Sequence, residues 1–264
     1  MDLGLRDQTA VITGSTAGIG FASAKLFAQE GAKVVLNGRS EERVKAAVER
    51  LRADVPAGQI EGFAADLATA SGAQLLLDAY PDIDILVNNA GIFAPVPFEE
   101  ISDADWIRFF ETNVMSGVRL ARHHLPRMLE RNRGRILFVS SESALQIPVE
   151  MIHYGTTKTA QLAIARGLAE RTRGTGVTVN CVLPGPTASE GVSDFVRRLA
   201  AGRGVSFETM EREFFETARP SSLLGRFASP EEVANMIVYL ASIAASATNG
   251  AAVRVDGGVV RSIV

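Results

Sequence analysis

The chain has 264 residues, 47% hydrophobic and 22% charged, with a formal net charge of -3 at pH 7. That length buries enough surface to fold without staples, and the slightly acidic balance excludes the broad basic field on which nucleic-acid binding rests. A single cysteine, Cys181, excludes an internal disulfide and fits a reducing compartment.

In chain order, short β-branched runs alternate with longer helical patterns. Strands are expected at Thr9–Thr13, Lys33–Leu36, Ile60–Ala64, Ile83–Asn88, Gly134–Ser140, Val177–Leu183 and Ala252–Asp256. Helices are expected at Gly20–Glu30, Glu41–Ala53, Thr69–Ala79, Asp103–Arg131, Ile152–Arg173 and Pro230–Ala244. Nearly continuous apolar strands belong to a sheet buried on both faces. The alternation predicts a Rossmann-type α/β fold, a doubly wound parallel sheet of about seven strands, with residues 1–264 as a single domain.

The stretch Pro186–Ser229 breaks this rhythm. It contains helix-like pieces around Asp194–Ala200 and Glu208–Thr217 and the apolar residues Phe195, Leu199, Phe207, Met210, Phe214 and Phe215. Long insertions in compact domains are usually functional or disordered, and this one is too apolar for a solvated tail. A helical lid over a substrate pocket is the expectation.

The first strand runs into Thr13-Gly14-Ser15-Thr16-Ala17-Gly18-Ile19-Gly20 and then a helix. Glycines there permit a tight turn and a close backbone approach to a pyrophosphate, which the free N–H groups of the helix start then bind. Further along lie Asn88-Asn89-Ala90-Gly91, Asn113, Ser141, Tyr154-Gly155-Thr156-Thr157-Lys158, Pro184-Gly185 and Val255-Asp256-Gly257-Gly258. In this order and over essentially the whole chain, these motifs resemble the short-chain dehydrogenase/reductase family. The resemblance implies an oxidoreductase that moves a hydride between a nicotinamide and a carbonyl/alcohol pair.

Tyr154 and Lys158 are four apart on an expected helix and so share a face. An ammonium beside a phenol favours the phenolate, which leads us to expect a lowered Tyr154 pKa and proton exchange near neutrality. Ser141 closes a strand at the edge where open α/β sheets bind ligands; among Ser140, Ser141 and Ser143, the family spacing selects Ser141 to hold the substrate oxygen. The resemblance implies that Asn113 holds a water joined to Lys158, and that Lys158 also bonds the nicotinamide ribose. Asn113, Ser141, Tyr154 and Lys158 are thus the expected catalytic set.

The end of the second strand reads the adenosine ribose, an acid favouring NAD(H) and an arginine NADP(H). Here Gly38 stands in the acid's place and Arg39 follows, which favours NADP(H) and leaves NAD(H) open; Asn37 and Ser40 are expected to add neutral hydrogen bonds. The resemblance assigns Gly14, Ser15, Thr16, Gly18, Ile19 and Gly20 to the phosphates, Asp66 and Leu67 to adenine, and Asn89, Ala90 and Gly91 to the adenosine-ribose side. Pro184, Gly185 and Thr187 fall to the nicotinamide end, with Tyr154 and Lys158. His123, His124 and His153 lack zinc-site spacing, so no metal is expected. His123 and His124 are read as helix-surface residues.

The leading expectation is a reductase, or the reverse dehydrogenase, of a small or medium apolar ketone or aldehyde. The alternative is a 3-oxoacyl-[acyl-carrier-protein] reductase, which needs a basic patch at the pocket mouth; Arg127, Arg131, Arg133, Arg171 and Arg173 are the candidates. A catalytically silent cofactor-binding regulator is opposed by the complete set of four. The resemblance implies a homotetramer or dimer, one interface built from Asp103–Arg131 and Ile152–Arg173 and the other from Pro230–Ala244 and Ala252–Asp256. No apolar run approaches the roughly 20 residues of a membrane span, and Met1–Gln8 lacks a signal-peptide pattern. A cytoplasmic protein without nucleic-acid or membrane partners is expected.

Overall fold

A computed structural model describes residues 2–263, with the side chains of Ser193, Asp194, Phe195, Arg198 and Leu199 left undescribed. The expected roles of Phe195 and Leu199 therefore lie outside the described residues. The strands are β1 Thr9–Ile12, β2 Lys33–Gly38, β3 Gln59–Ala64, β4 Ile85–Asn88, β5 Gly134–Val139, β6 Val177–Pro184 and β7 Ala252–Val255. They form one seven-stranded sheet in the order β3-β2-β1-β4-β5-β6-β7, parallel at every pairing.

Around it lie α1 Gly18–Gln29, α2 Glu41–Asp54, α3 Ala70–Ala79, α4 Asp103–Phe110, α5 Ser116–Glu130, α6 Ile152–Glu170, α7 Glu190–Arg203, α8 Phe207–Thr217 and α9 Pro230–Ala241. Alternate strand residues point to opposite faces, and this divides the core. Ala10, Ile12, Val34, Leu36, Val87 and Leu137 pack with α1, α2 and α9. Val11, Val35, Leu86, Ile136, Phe138 and Val179 pack with α3, α5 and α6. Strand order reverses between β1 and β4, so the crossovers leave opposite ways and a crevice opens at the C-terminal strand ends, where such sheets bind ligands.

Two expectations need correction. The helix expected over Asp103–Arg131 is interrupted by a π turn, Glu111–Met115. The buried positions Phe109, Asn113, Gly117, Leu120 and His124 keep steps of three or four across it, so periodicity does not register it; such turns concentrate at functional sites. His124 is buried, 2% exposed, rather than on a helix surface. It shares the inner face of α5 with Leu120, Ala121, Leu125 and Met128, and burial holds its imidazole neutral, with the pKa lowered to about 3.

The Pro186–Ser229 segment carries α7 and α8, each longer than expected at its N-terminal end. Val196, Ala200, Met210, Phe215 and Phe227 form a small core of its own, with the Phe214 and Phe227 rings stacked 5.2 Å apart.

Candidate active site

The residues expected to face a carbonyl gather where β5 ends. Ser140 donates to the Lys158 carbonyl at 2.9 Å and is consumed by that bond. Ser141, one residue on, donates to Glu142 Oε2 at 2.5 Å, and Glu142 Oε1 accepts from Arg219 Nε at 3.1 Å. Tyr154 and Lys158 project from the first turns of α6, the Lys158 ammonium 5.6 Å from the centre of the Tyr154 ring. That ammonium is buried and donates to the Val139 carbonyl at 2.9 Å. Burial lowers its pKa to about 8.

The expectation that Lys158 lowers the Tyr154 pKa is not met. Burial chiefly, and the Glu142 charge next, push the phenol above its ordinary value, against smaller opposing effects of Ser141 and Arg219. The ammonium donates to the Val139 carbonyl, and the charges that act on the phenol are those of Glu142 and Arg219. In the ligand-free protein Tyr154 is therefore a neutral phenol, equipped to give a proton.

Asn113 sits on the π turn with its side chain fully engaged. Its Oδ1 accepts from Ile92 N–H at 2.7 Å, and its Nδ2 donates to Ile92 O at 3.0 Å and Thr157 Oγ1 at 2.9 Å. Thr157 in turn donates to the Tyr154 carbonyl at 2.7 Å. The link expected between Asn113 and Lys158 runs through a side chain: Gln161 Nε2 donates to the Asn113 carbonyl at 2.5 Å, and Gln161 Oε1 lies 3.5 Å from the Lys158 ammonium. Asn113 thus pins the loop after β4 to α6.

At the other end of the crevice a cleft of about 230 Å³ is lined by Gly14, Thr16, Arg39, Asp66, Leu67, Ala90 and Gly91, together with Arg43. Several residues expected to touch a cofactor also hold the loop together. Ser15 donates its hydroxyl to Ile12 O and its N–H to Asn37 O. The Asn37 amide donates to Phe63 O and Ala65 O across to β3. Ser40 caps α2 through Arg43 N–H, and Asn89 Nδ2 donates to Thr13 O and Gly14 O. Ile19 is half-buried and packs into the core beneath α1. Nor does Gly38 leave room for an acid, because a Cβ there would sit 2.6 Å from the Thr16 methyl. At the nicotinamide end, Gly185 passes so close to Asp256 that a Cβ would meet its carbonyl at 2.6 Å. Pro184 pairs with Val255, and Thr187 Oγ1 closes back onto Gly185 O.

Comparison with known proteins decides the family. A family model described as short chain dehydrogenase matches residues 8–199. The chain belongs to the short-chain dehydrogenase family. Its relatives include the oxidoreductase YvaG of Bacillus subtilis, 47% identical over 100% of both chains. A 3-oxoacyl-[acyl-carrier-protein] reductase of Aquifex aeolicus is 30% identical over 98% of this chain and 99% of its own. Among solved structures, L-sorbose reductase from Gluconobacter frateurii, complexed with NADPH and L-sorbose, superposes with a TM-score of 0.92 at 33% identity, covering 100% of both chains.

As a short-chain dehydrogenase the protein is an oxidoreductase of CH–OH and C=O groups, and its phosphate loop fits a dinucleotide. Ser40, Thr69 and Ser102 cap α2, α3 and α4 with their side chains, whereas Ala17 gives α1 no side-chain cap. The start of α1 keeps its N–H groups and the positive end of its dipole for an anion. Gly14 and Gly18 take positive φ values of 61° and 57° there, which glycine adopts without strain. Sequence reasoning missed Arg43, in the first turn of α2, which lines the same cleft as Arg39, although it stands only four residues on. It also missed Gln161, Glu142 and Arg219, whose partners are distant in sequence. Among the described residues no His, Cys, Asp or Glu group is arranged for a metal, and no helix is long and apolar enough to cross a membrane.

One consequence is directly measurable. Nuclear magnetic resonance of Lys158 in the ligand-free protein should give a titration midpoint near 8. A midpoint at the ordinary lysine value of about 10.4 contradicts this picture of the site.

Proposed function

We propose that this short-chain dehydrogenase is an NADP(H)-dependent reductase of a neutral ketone or aldehyde, with Tyr154 as proton donor. The observation that carries the reading is the half-buried Tyr154 ring, with the buried Lys158 ammonium 5.6 Å from its centre, beside Ser141 at the open end of β5. The bound nicotinamide would supply the hydride. The Tyr154 proton passes to the carbonyl oxygen as negative charge develops there. Lys158, protonated below about 8, offsets the charge left on the phenolate, while Ser141 holds the oxygen in place. Asn113 acts at one remove, by fixing Ile92 and Thr157.

The walls favour an uncharged substrate of small or medium size. Phe93 meets the Tyr154 ring at 6.3 Å between centres, and Leu145, Ile147 and Val149 are exposed on the loop between Ser141 and α6. Arg219 faces two carboxylates, Glu142 and Glu150, so the mouth does not attract an anion. The carrier-protein alternative loses its basic patch: Arg127, Arg131 and Arg133 cluster with Asp82 and Asp84, beside the N-terminal ends of β4 and β5. Arg171 and Arg173 precede β6 and so share that edge, opposite Ser141. A polyhydroxylated ketone is the second reading, favoured by full-length similarity to the sorbose reductase. The Pro186–Ser229 segment would cover this mouth as a lid.

NADP(H) is favoured because Arg39 and Arg43 both reach the adenosine cleft. Arg43 is held only loosely, 3.7 Å from Glu190. Gly14, Thr16, Gly18 and Gly20 would take the pyrophosphate with backbone groups, and Asp66, Leu67, Ala90 and Gly91 the adenosine. We assign the protein to the cytoplasm. One experiment tests the activity and the cofactor together: a panel of apolar ketones, ketoses and acyl thioesters, with NADPH and NADH. Tyr154→Phe should bind NADPH normally and lose turnover by roughly 10²–10⁴. Arg39→Ala should lower the NADPH/NADH ratio of kcat/KM by roughly tenfold to a hundredfold, the value of a charge-assisted bond. A wild-type ratio below one overturns the cofactor assignment. Retention of more than about a tenth of turnover by Tyr154→Phe overturns the proton donor.

We further propose assembly through two self-complementary faces. Ile107 and Phe110 on α4 are 64% and 44% exposed, and Tyr239 and Ile243 at the end of α9 are 40% and 55% exposed. Light scattering should give a tetramer or dimer, and Ile107→Glu should reduce the mass. A wild-type monomer at micromolar concentration contradicts it.

A further inference from the structure

Glu142 is a carboxylate out of water beside the catalytic serine, and the mechanism above does not use it. Its side chain is 6% exposed and that of Arg219 is 11% exposed. Glu142 Oε2 accepts from Ser141 Oγ at 2.5 Å and from Ser143 N–H at 2.9 Å. Glu142 Oε1 accepts from Arg219 Nε at 3.1 Å. Arg219 lies just past α8, on the Pro186–Ser229 segment, and its Nη1 also reaches Glu150 Oε1 at 3.4 Å and the Ala218 carbonyl at 2.8 Å. A continuous polar chain therefore runs from that segment through Arg219 and Glu142 to Ser141.

A serine hydroxyl has one hydrogen to give. Donated to Glu142, it is withheld from a substrate carbonyl, and Ser141 Oγ also accepts from Ser143 N–H at 3.1 Å. How firmly Glu142 keeps that hydrogen depends on its uncompensated charge. An unpaired carboxylate in a low-dielectric site would hold the serine strongly and oppose ionisation of the neighbouring phenol. Arg219, bonded to Glu142 Oε1, opposes that field. The charged and titratable groups around the pair are Lys158 and Tyr154 from α6, Glu150 from the turn before α6, and Arg219 from the Pro186–Ser229 segment.

We propose that Arg219 is a positioning residue that sets the proton state of the Ser141–Tyr154 pair by neutralising Glu142. Arg219 is docked on Glu142 while Ser141 Oγ still donates to Glu142, so the neutralised carboxylate holds that hydrogen less firmly than a bare one would and yields it when a substrate carbonyl arrives. This rests on the reading of Ser141 and Tyr154 as the catalytic pair.

The test is the pH dependence of alcohol oxidation, whose rate rises as Tyr154 becomes a base. Arg219→Gln should move the midpoint of that rise upward by about a pH unit, a roughly tenfold loss at fixed pH below it. Arg219→Lys should restore most of the loss. Glu142→Gln should move the midpoint down, and the double variant Arg219→Gln/Glu142→Gln should return it close to wild type, since the charge needing neutralisation is gone. NADPH binding, at the far end of the crevice, reports that each variant is folded. An unmoved midpoint in Arg219→Gln with a raised KM overturns the proposal and makes Arg219 a substrate contact. A double variant as impaired as Arg219→Gln also overturns it. Failure of the underlying reading is separate, because it shows as turnover retained by Tyr154→Phe.

Discussion

Lys158 has to be satisfied without water. Its ammonium is buried against the Val139 carbonyl, the last of β5, and that single bond ties the start of α6 to the sheet. The same helical turn carries Tyr154, so the placement of the phenol follows from the placement of the amine. Ser140 reinforces the joint by donating to the Lys158 carbonyl. Gln161 extends it to the π turn, and Asn113 extends it again to the loop after β4. A buried amine costs stability unless it is bonded, so these elements hold one arrangement together. The result is a proton-transfer group whose position is fixed before any substrate arrives.

The reversal of strand order between β1 and β4 sets the rest of the geometry. Crossovers leaving on opposite faces open a crevice at the C-terminal strand ends, and every functional element described above lies along it. Its dinucleotide end is built mostly by backbone. Ser15, Asn37 and Asn89 spend their polar atoms on the loop itself, which leaves the uncapped start of α1 as the anion site. Its carbonyl end is built by side chains withdrawn from water. Loop rigidity at one end and desolvation at the other therefore suit hydride transfer, which requires two reactants held in a fixed relation.

The strands were legible from sequence because both faces of the sheet are buried and each strand is a nearly unbroken apolar run. Tyr154, Lys158 and Ser141 were legible because their spacing is local or their place at a strand end is fixed by topology. The π turn at Asn113 was not, since the buried positions keep steps of three or four through it. The internal use of Ser15 and Asn37 was hidden because their partners belong to other strands. The Glu142–Arg219 pair was hidden for the same reason, its members standing 77 positions apart. The direction of the Tyr154 shift was misjudged because helical spacing gives the neighbour of a phenol but not the depth of its burial.

Burial sets that direction, and it decides what chemistry the site is poised for. A phenol lowered to neutrality waits as a base for an alcohol; a phenol held neutral waits as an acid for a carbonyl. Glu142 strengthens the second state and Arg219 tempers it, so the pair adjusts the phenol without removing its proton. Ultraviolet titration reads this state directly, as the phenolate absorbance of the ligand-free wild type minus that of Tyr154→Phe. The account predicts that Tyr154 remains a phenol past the ordinary tyrosine midpoint of about 10; ionisation with a midpoint below that value would contradict it.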